Sequence, residues 1–105
     1  MNEDTLSPEE FKAIQLGWVA ALSQPELYDV MKELAKPENA NMRVRTDLSS
    51  MATKNGLTLP RNTKISSDLD PAGNPVGTIC YSWDPENIAK HPYHCLTIKN
   101  PFVIT

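Results

Sequence analysis

The sequence predicts an α+β fold, with two or three short helices followed by a small antiparallel β-sheet. Three observations predict it. Two helix-start signals, at Ser7 and Ser23, are each followed by apolar residues three and four apart. Beyond Pro60 the apolar period changes from that of a helix to that of a strand. Turn residues then punctuate the second half, drawing on the 9 Pro and 4 Gly of the chain. At 105 residues the chain has room for one hydrophobic core. Residues 1–105 are therefore read as a single domain, helical over about 7–56 and stranded over about 57–101.

The first helix opens at Ser7-Pro8-Glu9-Glu10. Serine caps, proline suits the first helical position, and Glu10 completes a capping box. Phe11, Ile14, Trp18 and Leu22 form its apolar stripe. Gly17 costs this helix about 1 kcal/mol relative to alanine and leaves space for a close neighbour. The start signal recurs at Ser23-Gln24-Pro25-Glu26, and Leu27, Val30, Met31 and Leu34 follow at i, i+3, i+4 and i+7 before Pro37 stops the run. Two amphipathic helices thus meet with almost no loop between them.

Pro37-Glu38 opens a third helical stretch, with Val44, Leu48, Met51 and Ala52 at helical spacing and Asn55-Gly56 as its stop. Met42 to Arg45 also alternates like a strand, which leaves the start of this helix open. Leu57 and Leu59 are expected to pack back on its end. Lys64 to Ser66 reads as a short edge strand, and Asp70 to Pro75 as a turn. Val76 to Trp83 is the best strand, with Ile79, Tyr81 and Trp83 on one face and Thr78, Cys80 and Ser82 on the other. After a loop, His94 to Lys99 forms a second strand that places His94, Leu96 and Ile98 opposite Cys95, Thr97 and Lys99. Phe102 to Thr105 is a tail. Trp18 and Trp83 are expected in the core.

The charge balance limits the functions available. The net charge of −3 provides no global field for nucleic acid, and the dispersed aromatics form no stacking platform for a single strand. The charge is nevertheless uneven. Residues 41–67 hold one acid and five bases, Arg43, Arg45, Lys54, Arg61 and Lys64. This stretch is either a solvated face or a docking patch for an acidic partner. No apolar run reaches the ~18–20 residues that span a bilayer, and the acidic Met1–Glu10 segment has no signal-peptide character. The cytoplasm is the default compartment, with no membrane partner expected.

One cluster has metal-ligand residue types: Cys80, His91, His94 and Cys95. The spacing lacks a Cys-x-x-Cys knuckle, and strand alternation sends His94 and Cys95 to opposite faces, so no metal or other cofactor is expected. The alternation puts Cys80 and Cys95 on one face. They either form a cross-strand disulfide, if the register fits, or remain free thiols, the default in a reducing compartment. A cysteine nucleophile would have to combine Cys80 with His91 or His94 and Asp84, and nothing in the spacing demands this. No glycine-rich phosphate loop is present. Tyr93 and Phe102 flank the last strand, and an exposed apolar edge there is where a partner strand would add.

The order of the segments carries a resemblance. Leu22-Ser23-Gln24-Pro25-Glu26-Leu27, then Leu48 to Pro60 with its Gly56-Leu57-Thr58-Leu59-Pro60 ending, then His94 to Pro101, resembles the nitrile hydratase alpha-subunit-like leader peptide family. The likeness covers about half of the chain. Members of that family include metal-binding subunits of nitrile hydratase and thiocyanate hydrolase, and leader regions of modified peptides. Their metal claw contains three cysteines, whereas Ile79-Cys80-Tyr81-Ser82-Trp83 has one, so metal binding and nitrile hydration are not implied. Precursors of this type carry a Gly-Gly-like cleavage site and a core peptide, which the sequence up to Thr105 does not contain, and Ser66 to Tyr93 is an extra stretch.

The resemblance implies a non-catalytic recognition domain whose protein partner is a modifying enzyme or transporter. The expected partner-binding residues are Arg43, Arg45 and Lys54 in the basic stretch, and Leu96, Ile98 and Phe102 at the strand edge. The alternatives are a small thiol- or metal-dependent enzyme subunit using Cys80, His91, His94 and Cys95, and a homo-oligomer paired through the sheet edge.

Overall fold

The structure, a computed structural model, describes residues 6–102; the expectations for Met1–Thr5 and for Val103–Thr105 lie outside them. In chain order it contains α1 (Pro8–Leu22), α2 (Glu26–Leu34), a 3-10 helix (Pro37–Arg43), β1 (Thr46–Asp47), α3 (Ser49–Lys54), β2 (Thr63–Leu69), β3 (Pro75–Tyr81) and β4 (His94–Lys99). The strands form one antiparallel sheet in the order β1-β2-β3-β4. This is the α+β architecture that the two periods predict.

Ser7 caps α1, its hydroxyl accepting from the Glu10 amide at 3.1 Å. Glu10 does not complete the box; its carboxylate lies 3.3 Å from His91 Nδ1 in the β3–β4 loop. Within the expected stripe Ile14 is buried and Phe11 is exposed, because α1 covers the sheet only from its second turn onward. Gly17 supplies the close approach: a Cβ there would lie 2.6 Å from Cδ2 of the Tyr81 ring on β3. Ser23 does not cap α2. It ends α1, donating its amide to Val19 O at 2.8 Å, and α2 begins after Pro25 with no side-chain cap. All four residues of the α2 stripe, Leu27, Val30, Met31 and Leu34, are buried.

The third helix departs most from expectation. The stretch divides into the 3-10 helix, the two-residue strand β1 and the six-residue α3. Arg45 breaks it, with a φ of 49°, in the left-handed region that no helix continues through. The strand-like alternation of Met42 to Arg45 is not realised, since Met42 and Arg43 end the 3-10 helix; the strand starts only at Thr46, and β1 pairs Thr46 and Asp47 with Ser67 and Ser66. β2 extends beyond the expected three residues to Leu69. β3 ends at Tyr81 because Ser82 turns inward, its hydroxyl donating to His91 O at 2.6 Å. Trp83 consequently lies outside the strand and is 44% exposed, not in the core; Trp18 does pack against the core.

The helices cover one sheet face. Alternation and register place Ile65, Ile79 and Leu96 in one row across β2, β3 and β4, and Ser67, Gly77 and Ile98 in the next. Ile65 and Ile79 join Val30, Met31, Leu34, Leu48, Met51 and Ala52 in the core cluster. Burying an aliphatic side chain of this size contributes about 1.5–3 kcal/mol, so these rows hold the two layers together. Long-range polar contacts fix their alignment. Trp18 Nε1 donates to His94 O at 3.1 Å, and the buried Asn100 donates from Nδ2 to Met31 O at 3.0 Å.

Candidate functional site

Among the described residues no helix covers the opposite sheet face, which carries Lys64, Ser66 and Asp68 on β2, Val76, Thr78 and Cys80 on β3, and Cys95, Thr97 and Lys99 on β4. The register sets Cys80 directly against Cys95, and the two are joined by a disulfide with a Cα–Cα distance of 4.0 Å. The register that the sequence left open is thus the one that permits the bond, and the free-thiol default is corrected. Cys80 is 3% exposed and Cys95 is exposed.

This bond also overturns the metal and nucleophile sets. Both sulfurs are taken. His91 is directed to Glu10, and His94 shares the helix-covered side with Leu96 while Cys95 takes the other. Asp84 uses its carboxylate to accept the Glu86 amide at 3.2 Å. Among the described residues, no three His, Cys, Asp or Glu side chains are grouped so as to hold a metal ion.

The basic residues of the expected patch are engaged in different ways. Arg43 is a capping residue. Its Nε donates to Leu34 O at 3.2 Å and its Nη2 to Ala35 O at 2.8 Å and Lys36 O at 3.3 Å, which satisfies the open carbonyls at the end of α2. Lys54 pairs with Glu33 at 3.0 Å. The Glu33 carboxyl is held below its usual range by a hydrogen bond from the Asn55 side chain, reinforced by Lys54. Arg45 is exposed beside β1. Arg43 and Lys54 thus both meet the C-terminal end of α2, engaged in backbone capping and α2–α3 bridging.

The strand-edge residues are brought together, in a different manner from that expected. Leu96 and Ile98 are half-buried toward the helices, and Phe102 packs edge-on against Tyr28 with ring centroids 4.9 Å apart. Tyr93 does not join Phe102. It lies near the disulfide, with Lys64 Nζ 3.9 Å from its ring centroid. The outermost part of β4 is its backbone. Asn100 donates its amide to Pro75 O at 3.3 Å, which makes Pro75–Asn100 a hydrogen-bonded position. Alternation then turns the N–H and C=O groups of His94, Leu96 and Ile98 toward β3, and those of Cys95, Thr97 and Lys99 away from it. β4 is the terminal strand, so among the described residues these outward groups face no other strand.

Along the helix-side rim of this edge runs a groove of about 380 Å³, lined by Leu22, Leu27, Tyr28, Met31, Ile98 and Phe102, with Gln24, Pro25, Lys99 and Pro101 completing it. Gln24 fixes one wall, accepting the Thr58 amide at 2.8 Å while its own amide donates to Thr58 O. Sequence reasoning missed Leu22, Tyr28 and Met31 as groove residues. The available signal was Tyr28, an aromatic on α2 outside the apolar stripe. No helix of the described residues is long and apolar enough to cross a membrane. Comparison of the chain with protein-family models, curated proteins and solved structures finds no match.

Proposed function

We propose that this chain is a non-catalytic protein-recognition domain that takes an extended segment of a partner protein along β4. The reading rests chiefly on the outward backbone groups of Cys95, Thr97 and Lys99, which offer a ladder to an added strand. The groove beside them supplies selectivity. A strand on β4 points alternate side chains to the helix side, where an apolar one enters between Tyr28, Met31 and Phe102. The leader-like resemblance makes a modifying enzyme the natural partner type. A cytoplasmic setting is part of this reading, and a disulfide there is usually one that forms and breaks.

Thr97→Pro tests this reading. Its amide points outward, so proline removes a donor that the sheet itself does not use, and edge strands tolerate it there. Peptides selected from a random library on the wild-type protein are expected to alternate apolar and polar residues. They should shift the backbone amide resonances of Cys95, Thr97 and Lys99, and lose binding to the Thr97→Pro protein. Selected peptides whose footprint spares β4, or which bind Thr97→Pro equally well, would overturn the proposal. The alternative occupant of the edge is β4 of a second copy, and light scattering that shows a dimer abolished by Thr97→Pro would favour it.

A further inference from the structure

The open sheet face carries a three-residue row whose chemistry the recognition reading does not use. The register sets Lys64 opposite Cys80, and Cys80 opposite Cys95, so one row across β2, β3 and β4 reads ammonium, buried sulfur, exposed sulfur. The row lines a hollow of about 490 Å³, with Tyr93 and Arg45 also on its wall. Asp47 and Asp68 face the same hollow, and the Ser49 hydroxyl and amide already bind the Asp47 carboxylate. The arrangement differs from that of a purely structural bridge in two respects. One cysteine is shielded and the other is open, and among the described residues the open one lies on a strand with no outer neighbour.

Thiol–disulfide exchange requires a thiolate to attack one sulfur in line with the sulfur that leaves. With Cys80 inward on β3 and Cys95 on the terminal strand, the side of Cys95 away from Cys80 opens beyond the sheet edge. Attack on Cys80 would have to come from the side of β2, past Lys64 and onto a residue only 3% exposed. The departing Cys80 thiolate would be costly to form in a buried setting, and a neighbouring cation lowers that cost. Lys64 is the neighbouring cation on this wall, across the ladder from Cys80 with its Nζ 3.9 Å from the Tyr93 ring centroid.

We propose that Cys80–Cys95 is a thiol-exchange site at which an external thiol attacks Cys95 and Cys80 is the leaving group. In the first step the incoming thiolate forms a bond to Cys95 Sγ as the Cys95–Cys80 bond breaks, and the electron pair leaves on Cys80 Sγ, which then takes a proton. A second thiolate attacks the external sulfur of the mixed disulfide, releases Cys95 as a thiolate, and departs as an oxidised disulfide. Two electrons pass from two external thiols to the protein, and the two protons that they lose balance those taken up by Cys80 and Cys95. The external thiol is either a small monothiol or the dithiol of a protein reductase; the site requires only a thiolate able to reach the edge of β4. The inference stands whether or not β4 recruits a partner strand.

The test begins with the folded, oxidised protein and a limiting amount of reduced glutathione, followed by acid quenching, alkylation and peptide mass mapping. Glutathione on Cys95 with the alkyl label on Cys80 is the expected result. Glutathione on Cys80, or no adduct while the protein remains folded, would overturn the proposal. A parallel reaction with thioredoxin distinguishes the sources, since the faster of the two reagents identifies a monothiol or a dithiol as the favoured donor. Lys64→Gln should slow the first step severalfold, since a leaving thiol of higher pKa departs more slowly, and Lys64→Arg should restore the rate. Equal rates in wild type and Lys64→Gln would remove Lys64 from the site. As a control on folding, Cys80→Ser and Cys95→Ser are each exposed to oxidised glutathione. Faster capture by the lone Cys95 supports the assignment, and faster capture by the lone Cys80 refutes it.

Discussion

The two faces of the sheet are built from the same strands, yet they do different work. On the covered face, Ile65 and Ile79 are 1% and 0% exposed and lock into α2 and α3. On the open face the adjacent positions are Lys64, Ser66, Thr78 and Thr97, with one disulfide among them. A shift of one residue along β3 leads from the centre of the core to Cys80. Packing is therefore concentrated on one side of the sheet, and the residues capable of covalent chemistry on the other. The two-residue period of a strand is what allows so small a domain to keep them apart.

The largest expected difference between the faces is at β3. Ile79→Ala should destabilise the domain by about 2–5 kcal/mol, since it removes a fully buried aliphatic side chain and leaves a cavity. Chemical denaturation measures this, and a loss below 1 kcal/mol would mean that the helices do not depend on that row. One residue on, the double replacement Cys80→Ser with Cys95→Ser should cost roughly 3 kcal/mol, mostly by freeing the loop between two residues 15 apart in sequence. Native and double-variant proteins compared with and without a reducing agent would separate this cross-link effect from packing. Only the native protein should lose stability on reduction.

The smallest effect is electrostatic and belongs to the turns and to the helix bridge. The Asp70 carboxyl is held below its usual range, first by the Asn74 amide and also by that of Ala72, in the turn between β2 and β3. Asp47 is lowered by the Ser49 hydroxyl and amide, and Glu33 by Asn55 and Lys54. These carboxylates are stabilised in the folded state. Their contribution is complete above their ordinary pKa values of 3.8, 3.8 and 4.5, and is lost as the pH falls through the lower folded values. Denaturation midpoints at about pH 6 and about pH 3 should show a modest loss at the acid end. Asp70→Asn should reduce that loss; an unchanged or larger loss would exclude the turn as a source.

What was legible in the sequence follows the same division. The covered face could be read because burial leaves a period: the α2 stripe was recovered in full, and β4 was placed at its observed bounds. Alternation also placed Cys80 and Cys95 on one face, but period gives no register, so the bond between them could not be decided from spacing. The segment from Pro37 to Asn55 resisted reading because its course is set by distant partners. Arg43 serves the carbonyls of α2, and the Ser67 hydroxyl on β2 donates to Met42 O. Alternation puts Trp83 on one face with Ile79 and Tyr81 and so in the core, whereas the strand ends two residues earlier, at Tyr81, where Ser82 turns inward. The groove needed the α1–α2 corner and the end of β4 to meet, across more than 70 residues of chain.

Asn100 gives that distance a temporal meaning. Its side-chain amide completes a contact with Met31 O on α2, 69 residues earlier in the chain, and Trp18 likewise meets His94 across 76 residues. As a ribosome delivers the chain from its N-terminus, the helices emerge before the strand that closes over Met31 and Trp18. Until β4 has been delivered, the neighbouring edge of β3 lacks its partner, and part of the apolar side of α2 remains in contact with water. The arrival of β4 therefore covers the edge of β3 and moves the open edge of the sheet to β4 itself.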